Sequence, residues 1–173
     1  MKSAYAGLSR LEEHPPENIS ELRALEANCA AAYFRSWVGI PIKWRGTSRR
    51  PIPDSWGSVG ARSSPYHLAG NRNAAHPVNA MLNYAYAALE SEMRIKAISD
   101  GYNPTIGIMH EGSDGSSKFI FDLMEPERPP VDRMVLDFVK GHVFDPADFV
   151  IRGDGVCRLN PEMARMVVAK VST

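Results

Sequence analysis

The sequence predicts a mainly α-helical domain with one small β-hairpin near residues 149–159. Several segments carry apolar residues at helical spacing, and each begins at a capping residue or a proline. Only Gly153-Asp154-Gly155, flanked by short apolar runs, is typical of a hairpin. The chain has 173 residues, of which 44% are hydrophobic and 23% charged, so a single globular domain is expected.

The first predicted helix begins after Asn18, which can cap it, with Glu21 three residues later as the reciprocal partner. We expect this helix to run to about Trp37, because Gly39 and Pro41 follow. Residues 38–75 are then predicted as a basic loop rich in proline, glycine and serine.

The central predicted helix begins at Pro77, is preceded by His76 or Ala75 as a cap, and runs to about Ser99 before Gly101. Its apolar stripe comprises Val78, Met81, Leu82, Ala85, Leu89 and Met93. A polar stripe along the edge of the apolar one comprises Asn79, Asn83, Tyr86 and Glu90. Polar residues at such a margin either serve a functional site or satisfy neighbouring backbone groups.

The C-terminal third predicts three further helical segments and the hairpin. Residues 117–125 can form a short helix that prolines 126, 129 and 130 bend or restart, and residues 131–140 continue as an amphipathic helix. The hairpin follows, and Asn160-Pro161-Glu162 begins the last helix.

Charge is unevenly distributed although the formal net charge is +0. Residues 35–72 contain seven basic residues and one acid, whereas residues 111–162 contain 11 acids and 6 bases. Tryptophans 37, 44 and 56 lie among the basic residues. The basic segment is therefore either a solvated loop or a surface for phosphates and bases of nucleic acid.

Several classes of protein are disfavoured. No window approaches ~18 consecutive apolar residues, so we expect no membrane span. Residues 1–5 have no apolar signal-peptide core, and the two cysteines, Cys29 and Cys157, are too few for a disulfide framework. A cytoplasmic protein in which both cysteines are buried or idle thiols is expected. Zinc HExxH motifs, glycine-rich phosphate loops and G-x-S-x-G elbows are absent.

Two acids, Asp122 and Glu125, lie three residues apart on the polar side of one predicted helix. Such a pair is either a solvent-facing surface or part of a divalent-metal site, since carboxylates are suitable ligands for Mg²⁺ or Mn²⁺. Glu90 could supply a third carboxylate, and His110 an imidazole, which Mn²⁺ accepts more readily than Mg²⁺.

Three motifs in this chain are similar to those of a known family. They are residues 76–90 (HPVNAMLNYAYAALE), residues 102–110 (YNPTIGIMH) and residues 121–133 (FDLMEPERPPVDR). Their order and spacing resemble those of the CRISPR-associated Cas-one (Cas1) integrases, and the resemblance extends from about Asn18 to the C-terminus.

That resemblance implies the helical catalytic domain of the Cas1 integrase fold. It also implies a metal-dependent DNA endonuclease and integrase that inserts spacers into CRISPR arrays by phosphodiester cleavage and strand transfer. The implied ligands of Mg²⁺ or Mn²⁺ are Glu90, His110 and Glu125, with Asp122 as an additional acidic catalytic residue. The residues implied to lie beside the site are Asn79, Asn83 and Tyr84.

The resemblance also implies partners: DNA, a second copy of the chain in a homodimer, and a Cas-two (Cas2) protein. The basic residues expected to contact DNA are Arg45, Arg49, Arg50, Arg62 and Arg72. The family's N-terminal β-rich domain is not recognisable in residues 1–173, so we expect one partial helical domain. The alternative hypothesis is a non-catalytic, truncated relative that acts as a DNA-binding or assembly module.

Overall fold

The longest described helix, Pro77–Ser99, lies at the centre of the fold. The computed structural model describes residues 15–62, 64–65, 73–106 and 117–171. The helices are α1 (Ile19–Arg35), α2 (Pro77–Ser99), α3 (Lys118–Met124), α4 (Arg128–Gly141) and α5 (Pro161–Val171). The strands are β1 (Lys43–Trp44), β2 (Val143–Phe144), β3 (Phe149–Ile151) and β4 (Cys157–Leu159). The prediction of a mainly helical fold with a small hairpin is confirmed.

Helix α2 is positioned by its buried face. Five of the six residues in its predicted apolar stripe are buried, and Met93 is partly buried. This face packs against α3, α4, α5 and β4. The helix begins as predicted, since the Nδ1 atom of the cap residue His76 accepts a hydrogen bond from the Val78 N–H at 3.3 Å. The Pro77 ring occupies the first helical position.

Helix α1 lies at the surface. The Asn18 side chain accepts a hydrogen bond from the Glu21 N–H at 2.9 Å, which confirms the predicted cap. The helix ends at Arg35, two residues before the expected end at Trp37. No residue of α1 is buried, whereas Trp37 is only 3% exposed. The helix therefore ends just before the buried side chain of Trp37.

Residues 38–75 contribute to the core as well as to the surface. Trp56 and Val59 are each 3% exposed, and Trp56 stacks on Trp44 with ring centroids 5.8 Å apart. Strand β1 pairs in parallel with β2, so that Trp44 lies opposite Phe144. The described part of this segment is therefore more than a solvated loop.

Three prolines interrupt neither α3 nor α4, because each lies in the first turn of a helical segment, where proline is tolerated. Pro126 lies in a 3-10 turn, Glu125–Glu127, and Pro129 and Pro130 lie in the first turn of α4. The predicted hairpin is confirmed, with Phe149 opposite Leu159 and Ile151 opposite Cys157 in an antiparallel pair. Among the described residues, no helix is both long and apolar enough to cross a bilayer.

Candidate functional site

The polar edge of α2 carries Glu90 near the start of α3. Arg94, one turn further along α2, donates a hydrogen bond to the Glu90 carboxylate at 2.8 Å. The same guanidinium nitrogen donates to the hydroxyl of Ser117, the residue that precedes α3. Arg94 therefore orients the Glu90 carboxylate and connects it to the N-terminal end of α3.

Glu125 lies at the opposite end of α3. It begins the 3-10 turn between α3 and α4, and its side chain is 25% exposed. The Arg128 guanidinium lies 3.2 Å from its carboxylate, one turn further along. That guanidinium is also 5.5 Å from the ring centroid of Tyr86, on the α2 turn that precedes Glu90. The ion-pair partner of Glu125 is thereby placed against the polar edge of α2.

Tyr86 connects α2 to α4. Its hydroxyl donates a short hydrogen bond to the carboxylate of Asp132, which is 5% exposed. The guanidinium of Arg62 lies 5.8 Å from the Tyr86 ring centroid and 4.6 Å from that of Phe34. Two cations and one buried carboxylate therefore surround a single tyrosine.

Burial determines the protonation of this pair. It raises the pKa of Asp132 to about 6, although the hydrogen bond from Tyr86 and the charges of Arg62 and Arg128 lower it. Burial, and then the charge of Asp132, raise the pKa of Tyr86 above its usual range. Above pH 6 the phenol is therefore the donor and the carboxylate the acceptor.

The residues of the predicted polar stripe differ in what they contact. The Asn79 side chain donates to the backbone carbonyl of Ala61 at 3.1 Å, so this residue satisfies backbone. Tyr86 and Glu90 instead connect to charged side chains on other elements or turns. Asn83 and Tyr84 are partly buried on the same helix, as is Asp122 on α3.

The predicted metal ligands are only partly described. Glu90 and Glu125 lie on packed elements, but His110 lies outside the described residues. Within residues 15–62, 64–65, 73–106 and 117–171, no three His, Cys, Asp or Glu side chains form a metal-binding group. Two carboxylates paired with arginines are nevertheless the hard oxygen donors that Mg²⁺ or Mn²⁺ requires. The donor types fit, and the complete ligand set stays a prediction.

The predicted DNA-contacting arginines differ in their surroundings. Arg49 and Arg50 are exposed, and Arg45 is exposed beside Asp145, with 3.6 Å between Nε and Oδ2. Arg62 is partly buried between two aromatic rings. Arg72 lies outside the described residues.

Four residues of this site have no role in the sequence-based hypothesis: Arg94, Ser117, Arg128 and Asp132. The spacing of Glu90 and Arg94, and of Arg128 and Asp132, is i, i+4, which places each pair on one helix face. That spacing could have indicated the local pairs. It could not have indicated their partners, since Tyr86 and Asp132 are 46 positions apart.

Comparison with known proteins identifies relatives. A family model described as CRISPR associated protein Cas1 matches residues 66–173. The chain is 29% identical over 158 residues to "CRISPR-associated endonuclease Cas1 1" of Methanospirillum hungatei, covering 91% of this chain and 42% of that protein. The chain thus spans less than half the length of this curated relative.

Two solved structures share the fold. A structure described as "Casposase bound to integration product" has a TM-score of 0.76 and 24% identity, and the match covers 97% of this chain and 45% of that one. A "Cas6-RT-Cas1--Cas2 complex" has a TM-score of 0.71 and 22% identity, with 99% of this chain and 18% of that one covered.

Proposed function

The chain belongs to the family of CRISPR-associated protein Cas1, and from this premise we propose that it provides the helical catalytic part of a metal-dependent DNA endonuclease and integrase. The reaction would be phosphodiester cleavage and strand transfer during acquisition of CRISPR spacers. The observation that supports the proposal is that Glu90 and Glu125 each form an ion pair with an arginine, and that both lie on elements that pack against one another.

In this proposal Glu90, Glu125 and His110 hold Mg²⁺ or Mn²⁺, and Asp122 is an additional acid of the site. A bound divalent cation would polarise a phosphoryl oxygen and orient the attacking group. Attack by water gives cleavage, whereas attack by a DNA 3′-hydroxyl gives strand transfer. Arg94 and Arg128 pair with the two glutamates when no cation is bound.

DNA is the proposed substrate, and the exposed arginines would neutralise its phosphates. The neighbour described as a casposase bound to an integration product supports DNA as a partner. The complex that contains Cas1 and Cas2 supports a Cas2 protein as a further partner. We also propose that the chain acts as a homodimer.

Metal binding is tested by thermal unfolding of the purified chain with and without Mn²⁺. Binding stabilises a folded protein by about 2.7 kcal/mol at a hundredfold excess over the dissociation constant. We expect the shift in melting temperature to be lost in Glu125→Gln and retained in Glu127→Gln, an exposed glutamate of the same 3-10 turn. An equal shift in both variants would contradict a metal at Glu125.

Catalysis is tested with the same proteins on a branched DNA that carries a labelled strand. Nicking or strand transfer that requires Mn²⁺ or Mg²⁺ and is lost in Glu125→Gln supports the enzyme. DNA binding without any metal-dependent product would instead support the non-catalytic module.

DNA contact is tested by the salt dependence of binding. Each phosphate contact contributes about −0.9 to the slope of log K against log salt concentration for duplex DNA. Replacing Arg49 and Arg50 by glutamine should therefore make the slope less negative by about 1.8. The matched control is Arg165→Gln on α5, which is also exposed. If replacing Arg49 and Arg50 leaves the slope unchanged, DNA does not contact these two arginines.

A further inference from the structure

Three polar residues link α4 to α2 in addition to their apolar packing. We call Tyr86, Arg128 and Asp132 the tyrosine clamp. Arg128 and Asp132 are one turn apart on α4, and both reach Tyr86 on α2. The Arg128 guanidinium lies over the ring of Tyr86, and the Asp132 carboxylate accepts a hydrogen bond from the Tyr86 hydroxyl.

The clamp is connected directly to Glu125. The Nη1 atom of Arg128 lies 3.2 Å from the Glu125 carboxylate. Its Nε atom is buried and has no hydrogen-bond partner among the described residues. The Tyr86 ring lies beside the guanidinium, 5.5 Å from its central carbon. The hydrogen bond to Asp132 in turn limits the movement of that ring.

We propose that Tyr86 and Asp132 are positioning residues that hold the Glu125 carboxylate in one orientation through Arg128. The consequence for metal binding rests on the proposed function, whereas the orientation of Glu125 does not. Neither residue touches the cation, so their effect on its affinity is indirect. Groups that orient a metal ligand typically change affinity by about 10- to 100-fold.

A purely space-filling role for Tyr86 predicts a different outcome for the variant Tyr86→Phe. If Tyr86 only filled space, Tyr86→Phe would remove one hydrogen bond and leave the ion pair of Arg128 and Glu125 as it is. The phenylalanine ring preserves the shape and the cation contact. A change at Glu125 in this variant therefore reports positioning rather than loss of volume.

The first experiment needs no metal. In the parent chain, NMR records the Nε–H signal of Arg128 and the carboxyl ¹³C shift of Glu125, assigned with Arg128→Lys and Glu125→Gln. We expect Tyr86→Phe to move both signals. The control Tyr102→Phe, which removes a hydroxyl from a tyrosine that is 59% exposed, should move neither. Unchanged signals in a folded Tyr86→Phe protein would overturn the proposal.

The role of the Asp132 side chain as hydrogen-bond acceptor is tested by comparing a variant that can still accept with one that cannot. In Asp132→Asn the amide oxygen would still accept a hydrogen bond from Tyr86, whereas the methyl group of Asp132→Ala could not. We therefore expect Asp132→Asn to keep the Glu125 signal close to its parent position and Asp132→Ala to shift it as Tyr86→Phe does. Equal signals in the two variants would contradict a role for the hydrogen bond.

The second experiment measures the dissociation constant of Mn²⁺ by calorimetry. Tyr86→Phe should weaken binding about tenfold, but should have no further effect in a Glu125→Gln background. If the parent binds no Mn²⁺, the proposed metal site fails, and the NMR result alone decides the positioning proposal. If the parent binds and Tyr86→Phe binds equally well, the positioning proposal fails while the metal site stands.

Discussion

The Arg94 guanidinium lies 2.8 Å from the Glu90 carboxylate, one turn apart on α2. The two side chains are about equally exposed, at 41% and 34%. Water therefore screens the pair, and its contribution to stability is small. Its importance lies in position, since Arg94 contacts the Glu90 carboxylate, which is proposed to bind a divalent cation.

Replacing Arg94 by glutamine should strengthen Mn²⁺ binding. A guanidinium about 7 Å from a divalent cation repels it by about 1 kcal/mol in a water-like dielectric, so its removal should increase affinity about fivefold. Calorimetry at low salt measures this change. Arg94→Lys retains the charge and is the control. Weaker or unchanged Mn²⁺ binding in Arg94→Gln would contradict this prediction.

The stability of the fold should depend on the protonation of Asp132. Burial raises the pKa of Asp132 to about 6, from an ordinary value of 3.8, so the folded protein binds this proton more tightly than the unfolded chain. The contribution of Asp132 to stability therefore decreases as pH rises from about 4 through 6. The cost of keeping the carboxylate charged reaches up to about 3 kcal/mol at neutral pH.

Asp132→Asn should remove this dependence. The difference in unfolding free energy between the variant and the parent should favour the variant most at pH 7.5 and shrink towards pH 4.5. Urea unfolding at several pH values measures it. A difference that stays constant between pH 4.5 and 7.5 would contradict a raised pKa at Asp132.

The contribution of His76 to stability should change with pH in the direction opposite to that of Asp132. Burial lowers the pKa of His76, although a hydrogen bond to the Ser58 carbonyl raises it. Because its Nδ1 atom accepts from Val78, the neutral ring must carry its proton on Nε2, which donates to Ser58 at 3.0 Å. Protonation of Nδ1 removes the helix cap. The stability that neutral His76 provides is therefore present above pH 6.5 and is lost as pH falls further.

The variant His76→Asn keeps a capping oxygen without a titrating ring. It should be less stable than the parent at pH 7.5, because it lacks the bond to Ser58. It should also lose less stability than the parent between pH 7 and pH 5. Thermal unfolding in matched buffers tests this, and parallel pH profiles for the two proteins would refute it.

Removing the Trp56 side chain should destabilise the whole domain. Its ring is 3% exposed, its Nε1–H donates to the Ala75 carbonyl at 3.3 Å, and it contacts Phe149. Trp56→Ala should cost about 3–5 kcal/mol. Tryptophan fluorescence and helical circular dichroism should still report one shared transition. Tyr102→Ala, at an exposed ring, is the control, and two separate transitions would show that residues 38–75 fold independently.

Local patterns were enough to predict most of the helices. Asn18 and Pro77 mark helix starts through backbone chemistry that involves only the next few residues. The hairpin was predictable for the same reason, because Gly155 adopts a φ of +79° that glycine favours. The motifs likewise named Glu90 and Glu125 as candidates before any fold was known.

Tertiary structure alone decided which distant side chains meet. The pairing of Trp44 with Phe144, the burial of Trp56 within a segment of loop-like composition, and the contact of Tyr86 with Asp132 all join residues far apart in sequence. Each depends on how helices and strands pack, which no short window of sequence encodes. The sequence by itself thus determined the elements and the chemically capable residues. Packing of α2 against α3 and α4 determined that Tyr86 meets Asp132 and that Arg94 meets Ser117, because such contacts depend on distances between elements rather than on spacing within one.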